Sequence, residues 1–216
     1  MTDAALAADA PLRIVHVDER LLVIDKPSGL LAVPGRGEDK QDCAIHRAQR
    51  EFPEALIVHR LDMATSGLLL LARGARWQRE LSIAFAQRRV AKRYIAVLDG
   101  VLAPVGRQGE VDLPLIADWP NRPLQKVDHQ AGKPALTRWQ VLAVDDAANT
   151  TRVALEPITG RSHQLRVHMR ELGHPILGDT LYASPAQCAR ASRLLLHASR
   201  LELPELGLSV ESAAPF

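Results

Sequence analysis

The clearest signal along the chain is a set of short aliphatic runs, each closed by turn-forming residues. Leu21-Leu22-Val23-Ile24 leads into Lys26-Pro27-Ser28-Gly29, which reads as a strand entering a turn. Gly67–Ala72 is continuously apolar and predicts a buried central strand. Directly after it the period changes. Over 75–89 the residues Trp77, Leu81 and Phe85 fall four apart with arginines between them, which predicts a helix with one apolar stripe turned inward. A shorter helix is predicted over 42–51, with Asp42 near its start, Ile45 and Ala48 on one face, and Pro53 ending the pattern. Residues 93–98 read as a further strand.

In the C-terminal half, 140–144 and 151–156 are predicted to pair as strands across a turn at 145–149. Ser162 is placed to cap a helix running to Leu172, with Leu165, Met169 and Leu172 buried and Gly173 as the stop. Ser184-Pro185 suits the start of a short helix. Residues 194–197 and 200–203 are strand material. The segment 103–134 is rich in Gly, Pro and polar residues and includes Asp118-Trp119-Pro120-Asn121-Arg122-Pro123. It is predicted to be irregular, and a long irregular segment in a compact domain is usually functional or mobile. Residues 1–11 read as a flexible N-terminal arm. These elements define an α/β or α+β fold with a mixed sheet and few helices.

Composition narrows the class without naming a function. A length of 216 residues suits one large domain or two small ones, and 47% hydrophobic with 24% charged residues is ordinary for a soluble globular chain. Cys43 and Cys188 have no paired spacing, so the expected compartment is the reducing cytoplasm. The N-terminus lacks the basic start and apolar run of a signal peptide. No apolar stretch reaches membrane-spanning length, so no membrane partner is expected. A net charge of +2 hints only weakly at an anionic partner. Local charge says more: between Arg73 and Arg93 there are seven basic residues and one acidic residue, Glu80. That pattern fits either a solvated helix face or a phosphate-tracking surface.

The densest chemistry is His59-Arg60-Leu61-Asp62-Met63-Ala64-Thr65-Ser66-Gly67, directly ahead of the predicted buried strand. A loop tied to such a strand is a rigid mount for a reactive group. Asp62 there can serve as nucleophile or general base, or as a simple turn residue. A second cluster is Gly160-Arg161-Ser162-His163-Gln164-Leu165-Arg166-Val167-His168. An arginine facing Asp62 from it would keep that carboxylate ionised; otherwise Arg161 and Arg166 are surface groups or phosphate contacts. His163 and His168 are five apart, not the four that would put two ligands on one helical face, so no metal site is expected. Tyr94, among Lys92, Arg93 and the following aliphatics, is either a packing residue or a platform for a flipped base.

Taken together, these segments resemble the RluA family of pseudouridine synthases. The matching stretches are Lys26 to Leu30, His59 to Ala72, Lys92 to Ala96, Pro157 to His168, His174 to Asp179, and Leu195 to Ala198, in the family's order. The resemblance implies a pseudouridine synthase fold: α+β, a mixed and mainly antiparallel central sheet with flanking helices, and an active-site cleft across the sheet. It implies one catalytic domain over 12–216; the roughly 25 residues before Lys26-Pro27 depart from many members in being too few for an upstream S4 RNA-binding domain, so none is expected. Asp62 is then the essential carboxylate, Arg166 its guanidinium partner, and Tyr94 the ring against the target base. Arg60 is the arginine that enters the RNA helix in place of the extruded nucleotide. His59, Arg161, His163, Arg89 and Lys92 are expected to contact RNA. The reaction detaches uracil, rotates it and rejoins it through carbon, so no cofactor is expected.

The segment 118–123 is similar to that of family members acting on both 23S ribosomal RNA and the tRNA anticodon stem-loop. Trp119, Asn121 and Arg122 are accordingly expected to grip a folded RNA, the alternative being that Trp119 plugs the loop onto the domain. A monomer acting on structured RNA is expected. The rival readings are a synthase with one RNA substrate, a non-catalytic RNA-binding module, and a glycosidase that would release free uracil.

Overall fold

A computed structural model describes residues 11–216. Apart from Pro11, the expected N-terminal arm lies outside the described residues. In chain order the elements are β1 (Arg13–Val17), β2 (Leu21–Lys26), α1 (Ala44–Gln49), β3 (Ala55–Ile57), β4 (Ser66–Arg73), α2 (Ala75–Ala86), β5 (Ala91–Asp99), β6 (Gln108–Asp112), β7 (Leu115–Ala117), β8 (Gln125–Val127), β9 (Leu136–Asp145), β10 (Thr150–Pro157), α3 (Gln164–Glu171), α4 (Pro185–Cys188), β11 (Leu196–Leu203) and β12 (Leu208–Glu211). The span read as one catalytic domain is built of two compact units. One runs up to Lys92 and takes in His197–Pro215; the other is Arg93–Leu196 with Phe216.

The first unit is organised around β4. Its aliphatic run predicted a buried strand, and Leu68, Leu69, Leu70 and Leu71 are all fully buried. At about 1.5–3 kcal/mol for each buried side chain, this strand is a firm base for whatever loop precedes it. β2 pairs antiparallel along it from Leu21 opposite Ala72 to Lys26 opposite Gly67. β3 pairs antiparallel with residues 71–73. β11 runs parallel, with His197 opposite Ser66 and Ala198 opposite Gly67. Side chains alternate across the sheet: Leu21, Val23, Leu68, Leu70 and Ala72 pack with Leu81 and Ala84 of α2, and Trp77 and Phe85 pack at the edge of the same core. The predicted stripe is therefore the buried face of the helix.

α2 stops at Ala86, three residues short of the predicted 89. Arg88 takes a left-handed conformation, φ 60°. The Arg89 amide donates to the Ala84 carbonyl at 2.9 Å and the Arg88 amide to Phe85 at 3.1 Å. This is a Schellman stop with arginine where glycine usually sits, so no residue type marked the end.

The second unit holds the antiparallel order β5-β10-β9-β6, with β7 and β8 as a separate hairpin. The predicted β9–β10 pair extends from Thr150 opposite Asp145 to Pro157 opposite Thr137. The expectation of an irregular 103–134 is corrected here: the segment contains β6, β7 and β8. β6 reads Gln-Gly-Glu-Val-Asp with only Val111 buried, so hydropathy carried almost no signal for it. Its Gly109 lies under the Trp139 ring, where an added Cβ would sit 2.3 Å from the indole. Leu115, Ala135, Val167 and Tyr182 form a small core, with Leu124, Val127 and Leu181 against it, and this fixes the hairpin to α3.

α3 begins at Gln164, not beyond a Ser162 cap. Its first flanking residue is His163, left-handed at φ 54°, with no side-chain cap. Gly173 is the stop as expected, with the His174 amide donating to Met169 at 3.0 Å. α4 is capped as Ser184-Pro185 predicted, through a reciprocal Ser184–Gln187 capping box. The class is α+β with mainly antiparallel sheet structure, and the parallel β4–β11 pair makes it mixed.

Gly67 is required where β4 leaves the loop. Its φ is +107°, and a Cβ would lie 2.3 Å from the Ala198 carbonyl oxygen and 2.6 Å from the Ala198 nitrogen. Both are backbone atoms and cannot rotate away. Gly67→Ala is expected to destabilise the fold by about 2–4 kcal/mol, combining a disfavoured backbone conformation with overpacking. Urea unfolding measures it; an unchanged midpoint would contradict the close approach.

Candidate active site

The loop from His59 to Ser66 is held from beneath by the turn after β2. Lys26 is 0% exposed. Its Nζ donates to the carbonyls of Pro27 at 2.9 Å, Leu30 at 2.7 Å and Met63 at 3.0 Å. Three ammonium protons thus meet three carbonyl oxygens, which is what burial of a charge demands. The Gly29 amide also donates to Met63 at 2.9 Å, and Ser28 Oγ donates to the Ala64 carbonyl at 2.7 Å. The Thr65 amide closes a turn onto the Asp62 carbonyl at 3.1 Å. The Lys-Pro-Ser-Gly stretch is therefore a clamp on the carbonyls of Met63 and Ala64, directly after Asp62, whose own carbonyl is held by Thr65. Leu61 is buried, Asp62 half-buried and Arg60 exposed.

His59 serves the sheet. Between the stretches of β4 paired with β11 and with β3, the buried Leu70 amide donates to His59 Nε2 at 2.9 Å. The ring stacks on Phe85 with centroids 4.3 Å apart. Burial, with the nearby Lys92 charge adding to it, lowers the imidazole pKa from 6.5 to about 3. The ring is neutral at physiological pH, and its Nε2 is committed to the Leu70 amide.

A buried polar chain runs from the other end of the loop. Ser66 Oγ lies 2.8 Å from His197 Nδ1, His197 Nε2 lies 3.2 Å from Ser212 Oγ, and Ser212 Oγ donates to Asp25 Oδ2 at 2.5 Å. Because the Ser212 proton goes to Asp25, His197 Nε2 donates to Ser212, and in the neutral ring Nδ1 accepts from Ser66. This chain ties the start of β4 to β11 and β2.

In the second unit Arg166 is 4% exposed and Asp179 1%. Nε and one Nη of Arg166 donate to the two Asp179 oxygens at 2.8 and 2.6 Å. Asp179 Oδ1 also accepts from the amides of Leu181 at 2.9 Å and Tyr182 at 3.1 Å. The guanidinium lies 5.1 Å from the Tyr182 ring centroid. Arg166 is thus oriented by a bidentate carboxylate and an aromatic face. Gln164 fastens the turn before it: its Oε1 accepts from Thr159 Oγ1 at 2.7 Å and from the Arg161 amide at 3.0 Å, and its Nε2 donates to Leu136 O at 2.9 Å and Thr137 Oγ1 at 3.0 Å. His168 is buried between Thr137 and the Leu113 carbonyl, and burial lowers its pKa. Both residues are structural.

The remaining expected contacts fall as follows. His163 Nδ1 lies 2.6 Å from the Tyr182 hydroxyl. Arg161 Nε donates to the Pro134 carbonyl at 3.0 Å. Trp119 is 62% exposed, so it does not plug the loop onto the domain; instead the Arg122 guanidinium covers its face at 3.9 Å. Asn121 Nδ2 donates to Asp118 at 2.9 Å. Trp119–Asn121 forms a single 3-10 turn. Arg89 pairs with Glu205. Lys92, largely desolvated and near Arg88, has its pKa lowered. Tyr94 is half-buried on β5, opposite Leu155. Sequence reasoning missed the orienting roles of Lys26, Asp179 and Tyr182. The first two lie in the matching stretches, but a buried lysine and a buried aspartate have no local signature. Among the described residues no group of three or more His, Cys, Asp or Glu side chains is gathered to hold a metal.

With this geometry in view, the comparisons are specific. The family model described as RNA pseudouridylate synthase matches residues 20–171, and the chain belongs to that family of isomerases. Its relatives narrow the placement to the RluA enzymes. It is 53% identical over 206 residues to the dual-specificity RNA pseudouridine synthase RluA of Escherichia coli strain K12, covering 94% of this chain and 93% of that protein. It is also 53% identical to the enzyme of the same name from Yersinia pestis, covering 90% and 94%. Among solved structures, human RNA pseudouridylate synthase domain containing 1 aligns with a TM-score of 0.76 at 29% identity, covering 95% of this chain and 83% of that one. Human RNA pseudouridylate synthase domain containing 4 gives 0.73 at 26%, covering 98% and 91%.

Two outcomes test the mounting. Lys26→Met removes three donors from three carbonyls; it is expected to cost about 3 kcal/mol or more in denaturant unfolding and to lower kcat. Wild-type stability with wild-type kcat would show that the clamp does not hold the loop. For His59 the sign follows from a folded pKa below the unfolded one. Its stabilising contribution is complete above about 6.5 and is lost as pH falls towards about 3, because only the unfolded state takes up the proton. His59→Gln should flatten the loss of stability in that window, read as unfolding midpoints across pH. Identical slopes for variant and wild type would show that the ring titrates normally.

Proposed function

We propose that this chain isomerises specific uridines in 23S ribosomal RNA and in the tRNA anticodon stem-loop, with Asp62 as the catalytic carboxylate. The observation that carries this reading is the convergence of four hydrogen bonds on the carbonyls of Asp62, Met63 and Ala64. They fix the backbone of one carboxylate-bearing loop in a chain of the RNA pseudouridylate synthase family. Arg166 and Tyr94 complete the catalytic set: Arg166 as a cation of fixed orientation, Tyr94 as the ring against the target base.

The isomerisation breaks the bond from uracil N1 to C1′ and forms one from C5 to C1′; C5 loses a proton and N1 takes one up. Atoms balance without an oxidant or a group donor, so no cofactor is called for. The uridine must leave its stack, at a cost of a few kcal/mol. Arg60, exposed beside the mounted loop, offsets that cost by entering the vacated space. Trp119 and Arg122, already stacked on each other, offer a cationic aromatic surface to a folded loop. Asn121, Arg161, His163, Arg89 and Lys92 contribute at the margins. Dual action is supported by the dual-specificity enzymes that match this chain nearly end to end. The enzyme acts as a monomer in the cytoplasm.

Asp62→Asn should reduce pseudouridine formation by more than about a thousandfold while RNA binding persists. Turnover is followed by the shift of the product to a carbon-linked isomer of unchanged mass. Full activity in that variant would remove Asp62 from the chemistry, and free uracil as product would favour a glycosidase. Pseudouridine mapping of both RNA classes, with and without the gene, separates dual from single specificity.

A further inference from the structure

Tyr182 stands at a junction that the reaction itself does not explain. It is 6% exposed, and three different parts of the second unit meet on it. Its ring faces the guanidinium of Arg166 at 5.1 Å and that of Arg170 at 5.3 Å. Its hydroxyl accepts from the Gln125 amide at 2.8 Å and lies 2.6 Å from His163 Nδ1. The hydroxyl has one proton. The oxygen takes the Gln125 N–H on one lone pair and shares a proton with His163 Nδ1, so the one hydroxyl bridges the two residues.

Gln125 is the first residue of β8, and the turn carrying Trp119, Asn121 and Arg122 immediately precedes it. That turn is closed by the Asp118 amide on the Leu124 carbonyl at 2.9 Å, and the hairpin packs through Leu124 and Val127 on the core containing Tyr182 and Val167 of α3. His163 is the residue from which α3 starts, and Arg166 lies in that helix's first turn. One phenol therefore links the exposed Trp119–Arg122 surface to the start of the helix that presents Arg166.

We propose that Tyr182 is a positioning residue for RNA selection: its hydroxyl locks the Trp119–Arg122 turn to His163, while its ring separately supports Arg166. This rests on the reading that the turn contacts RNA. The hydroxyl and the ring do different work, so they separate experimentally. Tyr182→Phe keeps the aromatic platform and removes the bridge. Tyr182→Leu removes both.

The test is steady-state kinetics on a synthetic tRNA anticodon stem-loop with full-length Tyr182→Phe, Tyr182→Leu, Trp119→Ala and the Tyr182→Phe/Trp119→Ala double variant. Tyr182→Phe is expected to raise KM about five- to tenfold, the scale of one lost buried hydrogen bond, with kcat held. Tyr182→Leu should lower kcat as well. Trp119→Ala should raise KM, and the double variant should be no worse than Trp119→Ala alone. In hydrogen–deuterium exchange, residues 119–125 should gain exchange in Tyr182→Phe well beyond the change in the rest of the chain.

Several results overturn the proposal. If Tyr182→Phe has wild-type KM while Trp119→Ala does not, the coupling fails and the RNA-contact reading stands. If Trp119→Ala leaves KM unchanged, the RNA-contact reading fails and the coupling with it. Additive effects in the double variant, a fall in kcat alone for Tyr182→Phe, or unchanged exchange at 119–125 each remove the linkage.

Discussion

An ammonium group in a dry interior is costly unless each of its protons finds an acceptor. Lys26 meets that condition with the carbonyls of Pro27, Leu30 and Met63, and the constraint works in both directions. The lysine can be buried only if the Asp62 loop comes down onto it. The loop keeps its shape only because the lysine, Ser28 and Gly29 occupy its carbonyls. β2 and β4 supply the frame, since Lys26 ends one strand opposite Gly67 near the start of the other. A side chain that reads as part of a surface turn is thereby the fixed point from which the Asp62 loop is built.

The second unit solves a similar problem with an ion pair. Arg166 and Asp179 are both buried, and a buried pair is no guarantee of stability, because desolvation of the two charges offsets much of their attraction. What the pair supplies is direction. Two oxygens fix Nε and one Nη, two backbone amides fix the carboxylate, and Tyr182 fixes the plane. Such convergence on one guanidinium makes sense when its orientation matters more than its contribution to folding. Both units therefore apply the same rule: the group proposed to do chemistry is held by others that are buried and saturated with hydrogen bonds.

What was legible in the sequence divides along physical lines. β4 and α2 were readable because each has a strong period and a continuous apolar face. Gly173 and Ser184-Pro185 were readable because those residue types stop and start helices by their own backbone preferences. β6 was not, because an exposed strand with one buried valine has no alternation to detect. Nor was the end of α2, where an arginine took the left-handed position. Within the site, Asp62 stood out through its motif, but the division of labour around it did not. His59 reads as a functional imidazole from its neighbours in sequence, and only the sheet reveals the Leu70 amide that needs it. Asp179 and Tyr182 act through contacts with residues more than ten positions away, which no local pattern encodes.

The basic stretch between Arg73 and Arg93 illustrates the same limit for RNA recognition. Counted along the chain it suggests a strongly positive stripe. Folded, Arg73 is paired with Glu54, Arg76 with Glu80, and Arg89 with Glu205. These pairs remove much of the field that phosphate tracking would need. Among the described residues Arg60 and Arg79 have no acidic partner, and Arg122 lies on an exposed indole. With a net charge of only +2, recognition by such a surface must draw on stacking and on the shape of a folded RNA loop more than on bulk charge. That is also the regime in which the proposed link from Tyr182 to the Trp119–Arg122 turn would have leverage over which RNA is accepted.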